Sequence, residues 1–171
     1  MLYPTMLETY TDLLPTDFNA NSRVWIYQSE RAFTETENSQ INESLDEFTA
    51  QWTSHGAKIK GFGKVFFNQF ILLMADETAS QVSGCSTDSS VRVIKKIEED
   101  FQVSLFNRQL LAFIIDDKIQ LIPLVEAKKA YEANIIHADT LYFNNTILHI
   151  KEFEEKWIIP LKNSWLQNRL V

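Results

Sequence analysis

Cysteine is almost missing from this chain: Cys85 is the one thiol in 171 residues. An intramolecular disulfide is therefore excluded, as is any metal site built from several cysteines. Long apolar runs are missing as well. The longest, Phe70 to Ala75, falls far short of the roughly 20 residues that a membrane-spanning helix needs. Basic charge is in deficit. Sixteen Lys and Arg against 23 Asp and Glu leave a net charge of -7, and a nucleic-acid footprint needs clustered cations. The nearest such cluster, Arg92, Lys95 and Lys96, runs straight into Glu98, Glu99 and Asp100, as on a solvated helix face. The first twelve residues lack the basic start and apolar core of a signal peptide. Together with the lone cysteine, that points to the reducing cytoplasm. Glycine and proline are scarce, four of each, and neither an internal repeat nor a low-complexity linker is visible.

What the chain does have is core material. Hydrophobic residues make up 45%, with twelve Phe and four Trp, each able to bury a large area. The length suits one domain with a small appendage. Residues 1–22 have no sustained period, yet Tyr3, Leu7, Tyr10, Leu13, Leu14 and Phe18 are apolar enough to pin an irregular arm to the body.

Val24-Trp-Ile-Tyr27 is β-branched and aromatic, and predicts a first strand over 23–28. Thr34 and Glu37 fit a capping box. Ile41, Leu45, Phe48 and Trp52 then recur at helical spacing, which predicts a helix over 36–54 ended by His55-Gly56. Strands are expected over 58–66 and, apolar on both faces and hence central, over 70–75. Val91, Ile94, Ile97 and Phe101 predict a second helix over 89–101. Leu110 to Ile115 reads as a buried strand, with Ile119 to Ile122 pairing back on it. Pro123 can open a short helix through Ala133. Leu141-Tyr-Phe143 and Thr146-Ile-Leu148 read as a hairpin turning on Asn144-Asn145. Lys151 to Trp157 and Ser164 to Leu170 read as helical, broken at Pro160.

The order strand, helix, strand, strand, helix, strand implies an α+β fold. Its economical form is a ferredoxin-like βαββαβ antiparallel sandwich over residues 23–116, with strand order 4-1-3-2 and both helices on one face. A C-terminal strand and helix extension follows. The expected organisation is an N-terminal arm (1–22), a core (23–122) and an extension (123–171) that covers the bare sheet face through Trp157 and Trp165. A homodimer could cover that face instead.

Chemistry-bearing residues crowd into Ser83-Gly-Cys-Ser-Thr-Asp-Ser-Ser90, read as a loop leading into the second helix. The sandwich topology puts this stretch at the same end as His55, Asp76 and Glu77. Two readings follow. In the first, Asp76, Ser83, Gly84, Ser86, Asp88 and Ser89 line a polar pocket for a small polar or zwitterionic ligand, in a noncatalytic binding or interaction module. Amides at a helix start can hold an anion, whereas the nearby carboxylates repel one. In the second, Cys85 is a nucleophile with His55 as base and Asp76 as orienter, in a small cysteine-dependent enzyme. The plainer alternative to both is helix capping by the hydroxyls, with an inert thiol. His137 and His149 have no partners at metal spacing, and neither a metal nor a cofactor is expected.

The runs Arg23-Val-Trp-Ile-Tyr-Gln28, Trp52-Thr-Ser-His55-Gly56, Asp76-Glu77, Ser83 to Val91, Phe143-Asn-Asn145 and Ser164-Trp165 resemble an uncharacterised family of small bacterial proteins, over most of the chain. Some of its members carry the label "ABC transporter ATPase". The resemblance brings a set of positions and no established activity. An ATPase of that kind needs a phosphate-cradling P-loop. The nearest approach here, Gly61-Phe-Gly63-Lys64-Val65, lacks both the spacing and the hydroxyl.

Overall fold

The chain folds as a mixed α+β structure with antiparallel sheets. The computed structural model describes the backbone of residues 4–79 and 81–170, with side chains from Leu7 onward. Tyr3, assigned above to the arm, lies outside the described residues. The arm holds helix α1 (Pro4–Thr9) and a 3-10 turn (Tyr10–Leu13). Strand β1 (Arg23–Gln28) leads to helix α2 (Glu35–Gln51), and the capping box is formed: Glu37 N–H donates to Thr34 Oγ1, and Thr34 N–H to the Glu37 carboxylate. Two short strands follow, β2 (Thr53–Ser54) and β3 (Ala57–Lys58), then β4 (Lys60–Phe66) and β5 (Phe70–Asp76). Next come helix α3 (Gly84–Phe101), the hairpin β6 (Leu110–Ile115) and β7 (Lys118–Pro123), and helix α4 (Leu124–Glu132). The chain closes with β8 (Leu141–Phe143), α5 (Ile150–Lys156), β9 (Ile158–Pro160) and α6 (Gln167–Leu170).

The first sheet has the order β1-β5-β4, all antiparallel. Every residue of β5 is buried, as a central strand with no polar side requires. One face, carrying Val65, Ile71 and Leu73, packs under α2 and α3 through Ile41, Leu45, Ile94 and Ile97. That face carries glycine where α2 comes closest. A Cβ on Gly61 would lie 2.8 Å from the Trp52 ring, and one on Gly63 would lie 3.0 Å from Leu45 Cβ.

The expected fourth strand does not join this sheet. β6 instead founds a second sheet of order β7-β6-β8-β9. Its burial explains the choice. Leu111 and Phe113 face a cluster with Ala127 and Ala130 of α4 and Leu170 of α6, whereas Ala112 and Ile114 face the first sheet. A strand apolar on both sides needs neighbours on both edges and cover on both faces. Beside β1 the edge is already occupied at one end, where Val24 N–H donates to the Leu148 carbonyl at 2.9 Å and Arg23 bridges to His149. The layers are therefore α2/α3, first sheet, second sheet, α4/α6.

Between the sheets lies the main core: Val24, Phe66, Phe70, Leu72 and Met74 against Ala112, Phe143, Phe153 and Trp157, with Tyr10 and Leu14 of the arm. Trp157 is fully buried and stacks on Phe153 at 4.5 Å. Its indole N–H donates to Asn145 Oδ1, whose amide donates to Gln28 Oε1, while Gln28 Nε2 donates to the Leu110 carbonyl. That relay ties β1, β6 and the C-terminal segment together. Trp165 differs from expectation. It is 40% exposed, lies against Arg169 and reaches the buried Tyr142 by its side chain, at the margin of the core. The hairpin expected over 141–148 is also absent: β8 pairs with β6 and β9, and Asn144-Asn145 turns the chain toward α5.

Candidate functional site

The stretch read as a loop is helix. Ser83 is the N-cap of α3, its Oγ accepting from Ser86 N–H at 3.3 Å. Gly84 and Cys85 thus lie in the first turn and Asp88 in the second, not in or before the first. Hydroxyl residues are neutral to unfavourable in helix interiors because their side chains compete for backbone groups; here that capacity is taken up by carbonyls within the helix. Thr87 Oγ1 donates to the Ser83 carbonyl, Ser89 Oγ to Cys85, and Ser90 Oγ to Thr87.

Ser86 is the hub of this corner and is buried. Its hydroxyl donates to the Thr53 carbonyl at 2.7 Å, so its oxygen is left to accept the Ser83 hydroxyl at 2.8 Å. Its own carbonyl accepts the Trp52 indole N–H at 3.0 Å. The end of α2 and the start of α3 are thereby stitched together, as the topology argument placed them. His55, however, is not in the last turn of α2, which ends at Gln51. With φ 50 it sits beside Gly56, φ 81, in the two-residue turn of the β2–β3 hairpin, where both central residues need positive φ.

Around this corner the expected catalytic groups are near in the fold and unconnected. Cys85 is exposed, and among the described residues neither its thiol nor the His55 ring has a hydrogen-bond partner. Asp76 is buried and occupied elsewhere. One oxygen takes Thr78 Oγ1 at 2.7 Å and Thr78 N–H at 3.0 Å, the other Asn19 N–H at 3.1 Å. Those bonds, the Thr78 hydroxyl first, hold its pKa below the usual value, with Lys60 adding attraction. Glu77 accepts Val82 N–H and pairs with Arg23. Ser89 is bridged by Arg92. Asp88 is exposed. Asp76 and Glu77 thus anchor the arm and the entry to α3.

Sequence reasoning missed a cleft of about 640 Å3 at one end of the second sheet. The β6–β7 turn, with Asp116 and Asp117 both at positive φ, forms one wall. Asn134, His137, Asp139 and Thr140 form the other, over Ile114, Ile115 and Leu141. Thr140 Oγ1 accepts His137 N–H, and His137 Nδ1 accepts Asp139 N–H at 3.3 Å, so a neutral His137 ring carries its proton on Nε2. Lys162 pairs with Asp139 at 2.6 Å and is the main cause of its lowered pKa. Among the described residues Asp116 has no ion-pair partner. Only the topology joins these two polar turns, about twenty residues apart in sequence. Among the described residues no group of three His, Cys, Asp or Glu could hold a metal, and no helix is long and apolar enough to cross a membrane.

Neither a family model, nor a curated protein, nor a solved structure matches this chain.

Proposed function

We propose that this chain is a noncatalytic binding module for a small polar molecule, and that the cleft at the end of the second sheet is its site. The observation that carries this is the unpaired Asp116 carboxylate on the wall of a cleft with an apolar floor. Asp139, neutralised by Lys162, lines the far side. One uncompensated carboxylate over isoleucine and leucine suits a zwitterion or a small organic cation with a short apolar part. The corner at Cys85 supports catalysis poorly. A nucleophile, base and orienter act through hydrogen bonds to one another, whereas here the thiol and the imidazole are unengaged and the carboxylate is spent on the backbone. The hydroxyls expected to line a pocket there are spent on α3 itself and, for Ser86, on the Thr53 carbonyl.

Two further readings go with this one. Residues 23–116 are a ferredoxin-like βαββαβ unit whose first three strands keep the order 1-3-2 while the last is drawn into the second sheet. Several positions that carry the resemblance to the small bacterial family, among them Gln28, Trp52, Asp76, Ser86 and Asn145, make buried or half-buried hydrogen bonds. They read as a set that fixes the fold.

Titration calorimetry with a panel of amino acids and small amines tests the binding reading. Binding should be lost in Asp116→Asn and kept in Cys85→Ser. Loss in Cys85→Ser alone would move the site to the start of α3. Iodoacetamide labelling tests the enzyme reading, because a catalytic thiolate reacts far faster in the folded chain than in the unfolded one. No such acceleration is expected.

A further inference from the structure

We propose that two copies of this chain pair through the free edge of β7, joining their second sheets into one continuous sheet about a two-fold axis at Gln120. The inference does not rest on the binding reading, although Gln120 of this strand also lines the cleft. It starts from the β6–β7 turn. A two-residue loop with both φ values positive, 51 and 56, makes the flanking residues Ile115 and Lys118 a hydrogen-bonded pair. Phe113 with Gln120 and Leu111 with Ile122 then bond likewise, in the observed register. Two contacts agree: Leu124 N–H continues the ladder to the Gln109 carbonyl, and the Leu110 carbonyl points the other way, to Gln28 Nε2. On β7, therefore, Ile119 and Leu121 turn their N–H and C=O groups away from β6. Among the described residues nothing pairs with them.

Other edges of the two sheets are taken in part: on β1 the Val24 N–H is used by the Leu148 carbonyl. On β4 the Val65 N–H is taken by Asn42 Oδ1, and β9 ends in Pro160. An unpaired edge accepts a further strand, and a second copy of the same edge fits for three reasons. First, with Ile119 opposite Leu121 of the second copy, each pair exchanges two backbone hydrogen bonds, four in all, and the relation is its own inverse, as a two-fold interface requires. Second, half-buried Ile119 and Leu121 meet as apolar cross-strand pairs, extending the face that already packs on the main core. Third, the ends are complementary. Asp117 falls opposite Pro123 of the second copy, beside the first turn of α4. That turn has no side-chain cap and already carries Glu126; a carboxylate that accepts from its free amides is favoured there. Val125, 87% exposed in this turn, is shielded by the arriving hairpin. The local charge is close to balanced, with Asp116, Asp117, Glu126 and Glu132 against Lys118, Lys128 and Lys129, so little of the net charge of -7 sits at this edge.

Sedimentation equilibrium of the full chain reads the mass directly. The expected result is twice 19.9 kDa in the wild type. Ile119→Pro, which removes an N–H that no intrachain bond uses, should give the single-chain mass. Gln120→Lys, which sets like charges against each other on the axis, should also be monomeric, and it decides the matter if the proline variant fails to fold. Cross-linking fixes the register. Non-hydrogen-bonded antiparallel neighbours sit about 4.5 Å apart at Cα, within disulfide range. In a Cys85→Ser background, Gln120→Cys should therefore oxidise rapidly to a covalent dimer, while Lys118→Cys should not. A wild type that is monomeric at every concentration overturns the proposal. So does a dimer that survives both edge variants, equal cross-linking at 118 and 120, or a monomer that takes an unrelated extended peptide on this edge.

Discussion

At the scale of single residues, hydroxyls that look alike in the sequence differ in what they hold. Ser86 ties the start of α3 to the end of α2 through two hydrogen bonds in a buried corner, whereas Cys85, one position earlier, is exposed. Ser86→Ala should cost about 1–3 kcal/mol, because the Thr53 carbonyl and the Ser83 hydroxyl both lose a partner. Cys85→Ser should stay within about 0.5 kcal/mol of the wild type. Urea melts that reverse this order would show that the corner is held by the thiol and not by Ser86. At the other end of the α2/α3 layer, Glu37 is held down at about 2, first by the Arg31 guanidinium and then by Thr34 N–H, from an ordinary value of 4.5. A depressed carboxylate stabilises the fold above its unfolded pKa, and that contribution fades as pH falls from 4.5 to about 2. Arg31 is substantially exposed, so water screens the pair and the contribution is on the order of 1 kcal/mol. Stability measured from pH 6 to pH 2 should fall less in Glu37→Gln than in the wild type, and parallel curves would refute the assignment. The capping box was legible in the sequence because its residues are three apart. The Ser86–Thr53–Trp52 corner was not, because its partners are more than thirty residues apart.

At the scale of elements, a pair of glycines separates packing from propensity. Gly61 lies under the Trp52 ring with no room for a methyl group, and that ring is itself buried. Gly61→Ala should cost about 1–3 kcal/mol by forcing α2 off β4. Gly84, in the first turn of α3, has open space around it. Gly84→Ala there should be neutral or stabilising by up to about 1 kcal/mol, through propensity and a less free unfolded chain. Thermal melts of the two variants should move in opposite directions, and a common direction would contradict the reading. Periodicity located the apolar elements closely: β1 and β6 at their predicted residues, β5 one residue longer. It failed where side chains settle the backbone. Ser and Thr gave a loop signal over 83–90, yet the Ser83 cap starts α3 there, and the hydroxyls that follow spend themselves on carbonyls one turn earlier. His55-Gly56 gave a helix-stop signal, yet the helix had ended four residues before, and the glycine serves a hairpin. A polar stretch thus became helix, with most of its hydroxyls bonded to the backbone.

At the scale of the whole molecule, the two sheets share one core, and that core is made by residues distant in sequence. Trp157 meets Phe66 and Phe70 of the first sheet and Phe143 and Phe153 of the C-terminal segment. Its indole N–H feeds the Asn145–Gln28 relay. The sequence showed that the first sheet needed a cover, since β5 has no polar side. It could not show that β6 would leave for that cover, because an apolar strand reads the same in either sheet. Shared burial has a thermodynamic consequence. Neither sheet can keep its inner face dry alone, so both should unfold in a single transition. Far-ultraviolet circular dichroism and tryptophan fluorescence should therefore give coincident urea curves. Trp157→Ala removes a fully buried ring and should cost about 3–5 kcal/mol, lowering the midpoint of both signals together. Two separated transitions, or a variant in which only one signal shifts, would mean that the sheets fold as independent units and that the aromatic core between them is a contact surface.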